Sequence, residues 1–337
     1  MSLRAAIWSS AVAIAIVSGA AGTQNQVRFL HVQGNVWMLH SDVANAAVQI
    51  GADGVLVVDT MTESLAEPML AEIRRLAPDK PIRLVINTHM HSDHTGGNAK
   101  VSAAGRTVIG GNAVAELGQA AADRAQIFAH ENVEMRMAQP GDVAARPPTA
   151  SWPSNTFTGA QHDLYFNGEG IELLHPGHAH TDGDTMVYFR KSDVLVAGDV
   201  YANDLFPRVD LQNGGEFSGI IKALNTIIRV TIPREKEEGG TYVIPGHGRL
   251  ADEADLVEYR DMTTILRDRV ADAVTRRQTL AQTQAARLTR DYDGRYGLAQ
   301  GGWSTAHFVE AMYQSVRAST TASFAAQPAA TSPAGKK

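Results

Sequence analysis

The sequence predicts a layered α/β protein, two β-sheets packed together with helices outside. Two observations carry this. Short strands recur in two runs, over residues 27–58 and 162–196, and each run is followed by helical periodicity. Histidines and aspartates then cluster just beyond several of those strands. The composition is that of an ordinary globular chain with a sizeable core, 44% hydrophobic and 20% charged over 337 residues. A net charge of −6 gives no electrostatic footprint for nucleic acid or an anionic membrane surface, and argues against a polyanionic substrate.

Residues 1–22 read as a secretory signal peptide. Arg4 supplies the positive start, Ala5 to Val17 is mostly apolar, and Ser18-Gly19-Ala20-Ala21 offers small residues for cleavage. The run is short and interrupted by Ser9 and Ser10, where a span needs about 20 apolar residues. Cleavage and export to a periplasm or the exterior are therefore expected, with no stable membrane insertion of the mature chain. The absence of cysteine fits an exported protein without disulfides.

Strands are predicted at 27–32, 35–40, 46–50 and 54–58, separated by Gly34-Asn35, Ser41-Asp42 and Ala52-Asp53-Gly54. Asp59 follows, with two roles open to it: accepting from a metal-binding histidine or capping the next helix. Leu65, Met69, Ile73 and Leu76 share one face of a helix over 61–77, with Pro68 near its start. Leu84-Val85-Ile86 is a short buried strand. A helix near 97–103, a strand at 107–110 and helical segments over 111–137 come next. Residues 138–160, broken by Pro140-Gly141, Pro147-Pro148 and Trp152-Pro153, form a connection long enough for a lid or binding loop. Trp152 is either an apolar wall of the substrate pocket or an indole packed under that loop.

The second run has strands at 162–166, 170–174, 185–190 and 193–196, a helix over 217–229 and a strand at 241–244. Phe206 either faces substrate or packs in the core. Leu256, Tyr259, Met262, Leu266, Val270 and Val274 mark a helix over 252–280, and Phe308, Met312 and Val316 another over 305–317. The domain reading is a catalytic unit at 23–250, a helical extension at 251–318 and a disordered tail at 319–337, rich in Ala, Thr, Ser and Pro.

The chemistry begins at Thr88-His89-Met90-His91-Ser92-Asp93-His94-Thr95-Gly96-Gly97. Imidazole nitrogens and carboxylate oxygens are zinc donors, and a loop at a strand end can turn them toward one point. In an extended segment His89, His91 and Asp93 would share a face and a metal, with His94 free to serve a second ion.

This block resembles the signature of the metallo-β-lactamase-fold hydrolase superfamily. His175-Pro176-Gly177-His178-Ala179-His180-Thr181-Asp182-Gly183, Val194-Leu195-Val196-Ala197-Gly198-Asp199 and Tyr242-Val243-Ile244-Pro245-Gly246-His247-Gly248 resemble its later motifs, in order. The resemblance implies an αββα sandwich of two mixed sheets with the site at one edge, like glyoxalase II, metallo-lactonases and β-lactamases. Arg290 to Gly297 resembles a helical tail found on many members. It further implies one zinc on His89, His91 and His180, a second on Asp93, His94 and His247, and Asp199 bridging them. His178 is the rival to His180, which is preferred because Thr181-x-Gly183 follows it. The same donors suit iron or manganese. A full set of seven fits two ions, whereas relatives that oxidise sulfur compounds with one iron fill fewer positions.

A hydroxide held between two such ions is available near neutral pH, because coordination lowers the pKa of water from 15.7 to about 7. It would attack a carbonyl carbon, with Asp93 orienting it. The expected function is hydrolysis of a small-molecule carboxylic ester, lactone, thioester or lactam by an exported di-zinc enzyme. The absence of cysteine excludes β-lactamases that place a thiolate on the second zinc, and leaves a periplasmic β-lactamase without that ligand as the alternative. A catalytically inert metal- or ligand-binding member is a reading from another class. A nuclease would need a basic groove that the acidic chain does not show.

Overall fold

The computed structural model describes residues 26–107, 123–139, 146–236, 239–297 and 302–325. The expected signal peptide, strand positions 108–110, helical positions 111–122 and the tail from 326 lie outside them. Among the described residues no helix is long and apolar enough to cross a membrane.

The first sheet has seven strands in sequence order: β1 (Arg28–Gln33), β2 (Val36–His40), β3 (Asn45–Ile50), β4 (Val55–Val58), β5 (Ile82–Ile86), β6 (Gln126–His130) and β7 (Asn155–Phe157). It is antiparallel from β1 to β4 and parallel from β4 to β7. The second runs β12-β11-β10-β9-β8, built from β8 (Gln161–Phe166), β9 (Glu169–Leu174), β10 (Met186–Phe189), β11 (Val194–Ala202) and β12 (Tyr242–His247). Only its β11–β12 pair is parallel. Both sheets are mixed, as expected.

The helices are α1 (Ala66–Leu76), α2 (Ser92–Thr95), α3 (Asn98–Ala103), α4 (Glu131–Ala138), α5 (Phe217–Val230), α6 (Glu253–Thr275), α7 (Leu280–Ala285), α8 (Asp293–Tyr296) and α9 (Thr305–Ala325). Four layers follow from which side chains are apolar. Val36, Leu56, Ile86, Val187 and Ile244 meet between the sheets. Leu65, Met69 and Ile73 lay α1 on the outer face of the first sheet against Val57 and Val85. Ile220, Leu224 and Ile227 of α5 cover the second, and Tyr259, Met262, Phe308 and Met312 of α6 and α9 continue that same apolar cluster. The C-terminal helices are thus packed onto the sandwich. Burying such side chains is worth roughly 1.5–3 kcal/mol each.

Three expectations change. Residues 126–130, read as helix, form strand β6; Ile127 and Phe128 pair in parallel with Val85 and Ile86, and this buried pairing overrides the local helical signal. Within the irregular stretch 138–160, Asn155–Phe157 adds an edge strand beside β6. The final helix does not end near 317 but runs to Ala325, past the expected onset of disorder, through a segment whose alanines favour helix.

Candidate metal centre

All the donors come from one edge of the sandwich. Chain direction explains it, because β5 and β12 both run out to that edge within parallel pairs. His89 and His91 follow the end of β5, Asp93 and His94 lie on α2, and His247 ends β12. His180 sits in the loop after β9, and Asp199 lies within β11, all nine residues of which are buried. The donor atoms of His89, His91 and His180 fall within 4.8 Å of one another, as do those of His89, His94 and Asp199 and those of Asp93, His94 and His247.

The shared-face expectation for Asp93 is corrected here. The extended chain ends at His91, which starts α2, so Asp93 and His94 occupy neighbouring positions of one helical turn and both reach His247. His178 is exposed and bonds through Nδ1 to the Gly214 carbonyl, outside the cluster. His180 is the histidine of that loop that joins it.

The residues fit a metal pair by a criterion independent of motif. His89 Nε2, His94 Nε2, His247 Nε2 and Asp199 Oδ1 are all buried without a hydrogen-bond partner. Four orphaned donor atoms at one point are rare in a folded interior, since each costs about 1–3 kcal/mol unless something satisfies it. Asp199 stands between the two groups, 3.1 Å from His94 Nε2, 3.2 Å from His247 Nε2 and 3.6 Å from His180 Nε2. Divalent cations are what three imidazoles and a carboxylate at these positions accommodate.

The remaining ring nitrogens are tied back, which sets the direction of each ring. His94 Nδ1 lies 2.8 Å from Asp59 Oδ2, and Asp59 also accepts from the Thr88 amide and hydroxyl. Of its two possible roles Asp59 therefore takes the orienting one; it caps no helix, and its backbone is left-handed at φ 62°. His180 Nδ1 donates to the Arg208 carbonyl, and His91 Nε2 donates to Asp210 Oδ2 at 2.9 Å. Asp184, fully buried, accepts from the amides of His180 and Thr181 and from the Thr181 hydroxyl, holding the His180 loop.

Electrostatics divide the cluster. Burial, with the neighbouring imidazoles His94 and His180, holds His89 well below the usual histidine range, and burial pushes His180 down to about 4. Both are kept neutral, the form that binds a cation. Burial works against charge on His94 and His247 too, but the Asp199 carboxylate, joined at His94 by Asp59, outweighs it and both are raised. Asp199 is itself held well below the carboxylate range, burial notwithstanding, by His247 and His94.

Two motif glycines have a spatial reason. A Cβ on Gly198, at φ 54°, would lie 2.7 Å from the Thr88 side chain, and one on Gly246 would meet Asp199 Oδ1 at 2.1 Å. Glycine lets β12 approach the carboxylate.

Neither aromatic candidate meets the site. Trp152 packs against Ala129, Val133 and Met137, and its indole donates to the Pro147 carbonyl. Phe206 is buried in the core, stacked on Phe308 at 4.6 Å. Sequence reasoning missed Asp184 and Asp210. A Thr-x-x-Asp spacing from Thr181 signals the first locally, whereas 119 residues separate Asp210 from His91.

The family model described as the metallo-beta-lactamase superfamily matches residues 41–264. The chain is 28% identical over 169 residues to the alpha subunit of a 2,4-dinitroanisole O-demethylase of Nocardioides sp., covering 50% of this chain and 44% of that protein. It is 35% identical over 80 residues to an alkyl/aryl-sulfatase of Saccharomyces cerevisiae, covering 22% and 12%. The chain therefore spans less than half the length of these relatives. A stereoselective inverting sec-alkylsulfatase from Pseudomonas sp. has a TM-score of 0.61 at 18% identity, over 86% of this chain and 50% of that one. A metallo-beta-lactamase from Pontibacter korlensis has 0.50 at 18%, over 71% and 99%. At these identities the structural likeness is one of fold. The family model spans well over half of the sequence, and the chain belongs to the metallo-beta-lactamase superfamily.

Proposed function

We propose that this protein is an exported di-zinc hydrolase that cleaves a carboxylic ester, lactone, thioester or lactam. The observation that carries this is the convergence of seven donors at one sheet edge, with four of their buried atoms otherwise unsatisfied. His89, His91 and His180 would hold one ion, Asp93, His94 and His247 the other, and Asp199 would touch both. Such a pair supplies a water ionised near neutral pH and a Lewis acid for the substrate oxygen. The chain supplies placement. Five of the seven side chains are deeply buried, while His91 and Asp93 keep 29% and 26% of their side-chain surface, so substrate meets the centre on their side. There the Asp93 carboxylate can orient the attacking water.

Export rests on the Arg4 start and apolar Ala5 to Val17 stretch, with residues 1–22 removed and the mature enzyme in the periplasm or outside the cell. Residues 23–250 then act as the catalytic domain and 251–318 as its helical extension, which the shared apolar cluster of α5, α6 and α9 keeps in place.

A second reading comes from the relatives' names, an O-demethylase and an alkyl/aryl-sulfatase: the same centre would cleave an aryl ether or a sulfate ester. Metal analysis of the purified protein, with turnover of a chromogenic β-lactam, an acyl homoserine lactone, an aryl ester and an alkyl sulfate before and after chelation, separates the readings. Two zinc per chain and chelator-sensitive carbonyl cleavage is the expected result. Turnover of the sulfate alone favours the second reading, and a two-metal protein silent on all four is the inert member.

A further inference from the structure

A cavity of about 1020 Å³ opens beside His91, between the turn at Glu63–Leu65, the start of α2 and the loop at 146–151. Met90, Met137 and Pro147 give it apolar walls. Its charged lining is cationic on balance: Lys100, Arg136 and Arg146 against Glu63.

Two of those cations are already matched. Lys100 Nζ lies 3.4 Å from Glu63, and Arg136 Nε donates to Asp182 Oδ1 at 3.1 Å. Among the described residues Arg146 has no such match. Its Nε is buried without a hydrogen-bond partner, and among the described residues no carboxylate pairs with it. A desolvated guanidinium donor with no acceptor is unfavourable to keep, and its planar fork fits the two oxygens of a carboxylate or sulfate.

We infer that this cavity takes a substrate carrying one oxyanion group, which Arg146 anchors while an apolar body lies against Met90 and Met137. The inference rests on the proposed hydrolytic centre, because His91 joins that centre to the cavity. It is compatible with the acidic chain: a net charge of −6 disfavours a polyanion, whereas a single local guanidinium recognises one anionic group. Anchoring at Arg146 would present the substrate's remaining length to the open side of His91 and Asp93.

The test compares two esters of equal length, mono-p-nitrophenyl glutarate and p-nitrophenyl valerate, on the zinc-loaded full chain, its Arg146→Ala variant and Arg146→Lys. The expected result is a preference for the glutarate ester that falls about tenfold or more in kcat/KM ratio in Arg146→Ala, chiefly through KM, and returns in part in Arg146→Lys. An unchanged ratio in Arg146→Ala, with its melting temperature preserved, overturns the inference. If neither ester is turned over, the proposed hydrolysis of carboxylic esters fails on its own, and calorimetric titration with octanesulfonate still decides about Arg146. Affinity lost in Arg146→Ala supports the anchor; equal affinity in both proteins refutes it.

Discussion

The two halves of the candidate metal centre are built differently. His94 is fully buried between two carboxylates, Asp59 behind it and Asp199 in front, and Asp59 is in turn fixed by Thr88. His91 Nε2 is held by the Asp210 carboxylate, in a pair where His91 keeps 29% and Asp210 21% of its side-chain surface, and its Nδ1 lies 3.0 Å from His180 Nε2. His94 is part of the sandwich interior; His91 faces the cavity. Rigidity is thus concentrated where the donors must not move, and access where substrate must arrive.

The largest effect is expected where the halves meet. Asp199→Ala removes the carboxylate both share, so metal content measured by atomic absorption should drop for both ions and turnover should fall by at least about 100-fold, beyond a typical change behind a ligand. Retention of two metals would break the comparison at its centre. Asp59→Ala should come next, lowering metal affinity toward about 100-fold and costing about 1–3 kcal/mol of stability in denaturant titration, because the Thr88 amide and His94 Nδ1 lose their buried acceptor. Asp210→Ala should lower affinity only about tenfold, since water can replace the carboxylate at a half-exposed pair. Equal losses from Asp59 and Asp210 would mean that burial does not distinguish the halves. Smallest is Trp152→Phe, expected to cost about 0.5–1.5 kcal/mol in a thermal melt, by loss of the bond to the Pro147 carbonyl, and to leave KM unchanged.

The same contrast explains what could be read from the sequence. Strands β1 to β5 and β8 to β12 announce themselves by alternation and turn residues, and the donor motifs are local enough to recognise. Asp59 was within reach because it ends a strand next to the metal loop. The turn of helix at Ser92–Thr95 was hidden, because four residues carry no periodicity, and with it the grouping of Asp93 with His94. Gln126–His130 is a strand because β5 and β7 lie on either side of it. Asp210 reaches His91 across 119 residues; Phe206 follows Asp199 closely in sequence yet is buried in the core, and Trp152 is half-buried against Val133 and Met137. Contacts of that kind are set by tertiary packing, which no local pattern encodes.

The side-chain amide of Asn45 donates to the carbonyls of Pro245 and Gly248, 200 and 203 residues further on, on either side of His247. The last donor loop is therefore moored to one of the first strands. Closing so large a loop costs chain entropy that the finished contacts must offset. A nascent chain offers its first four donors, His89 to His94, long before His247 is synthesised. The full set of seven donors is consequently assembled only once the two ends of the sandwich have met.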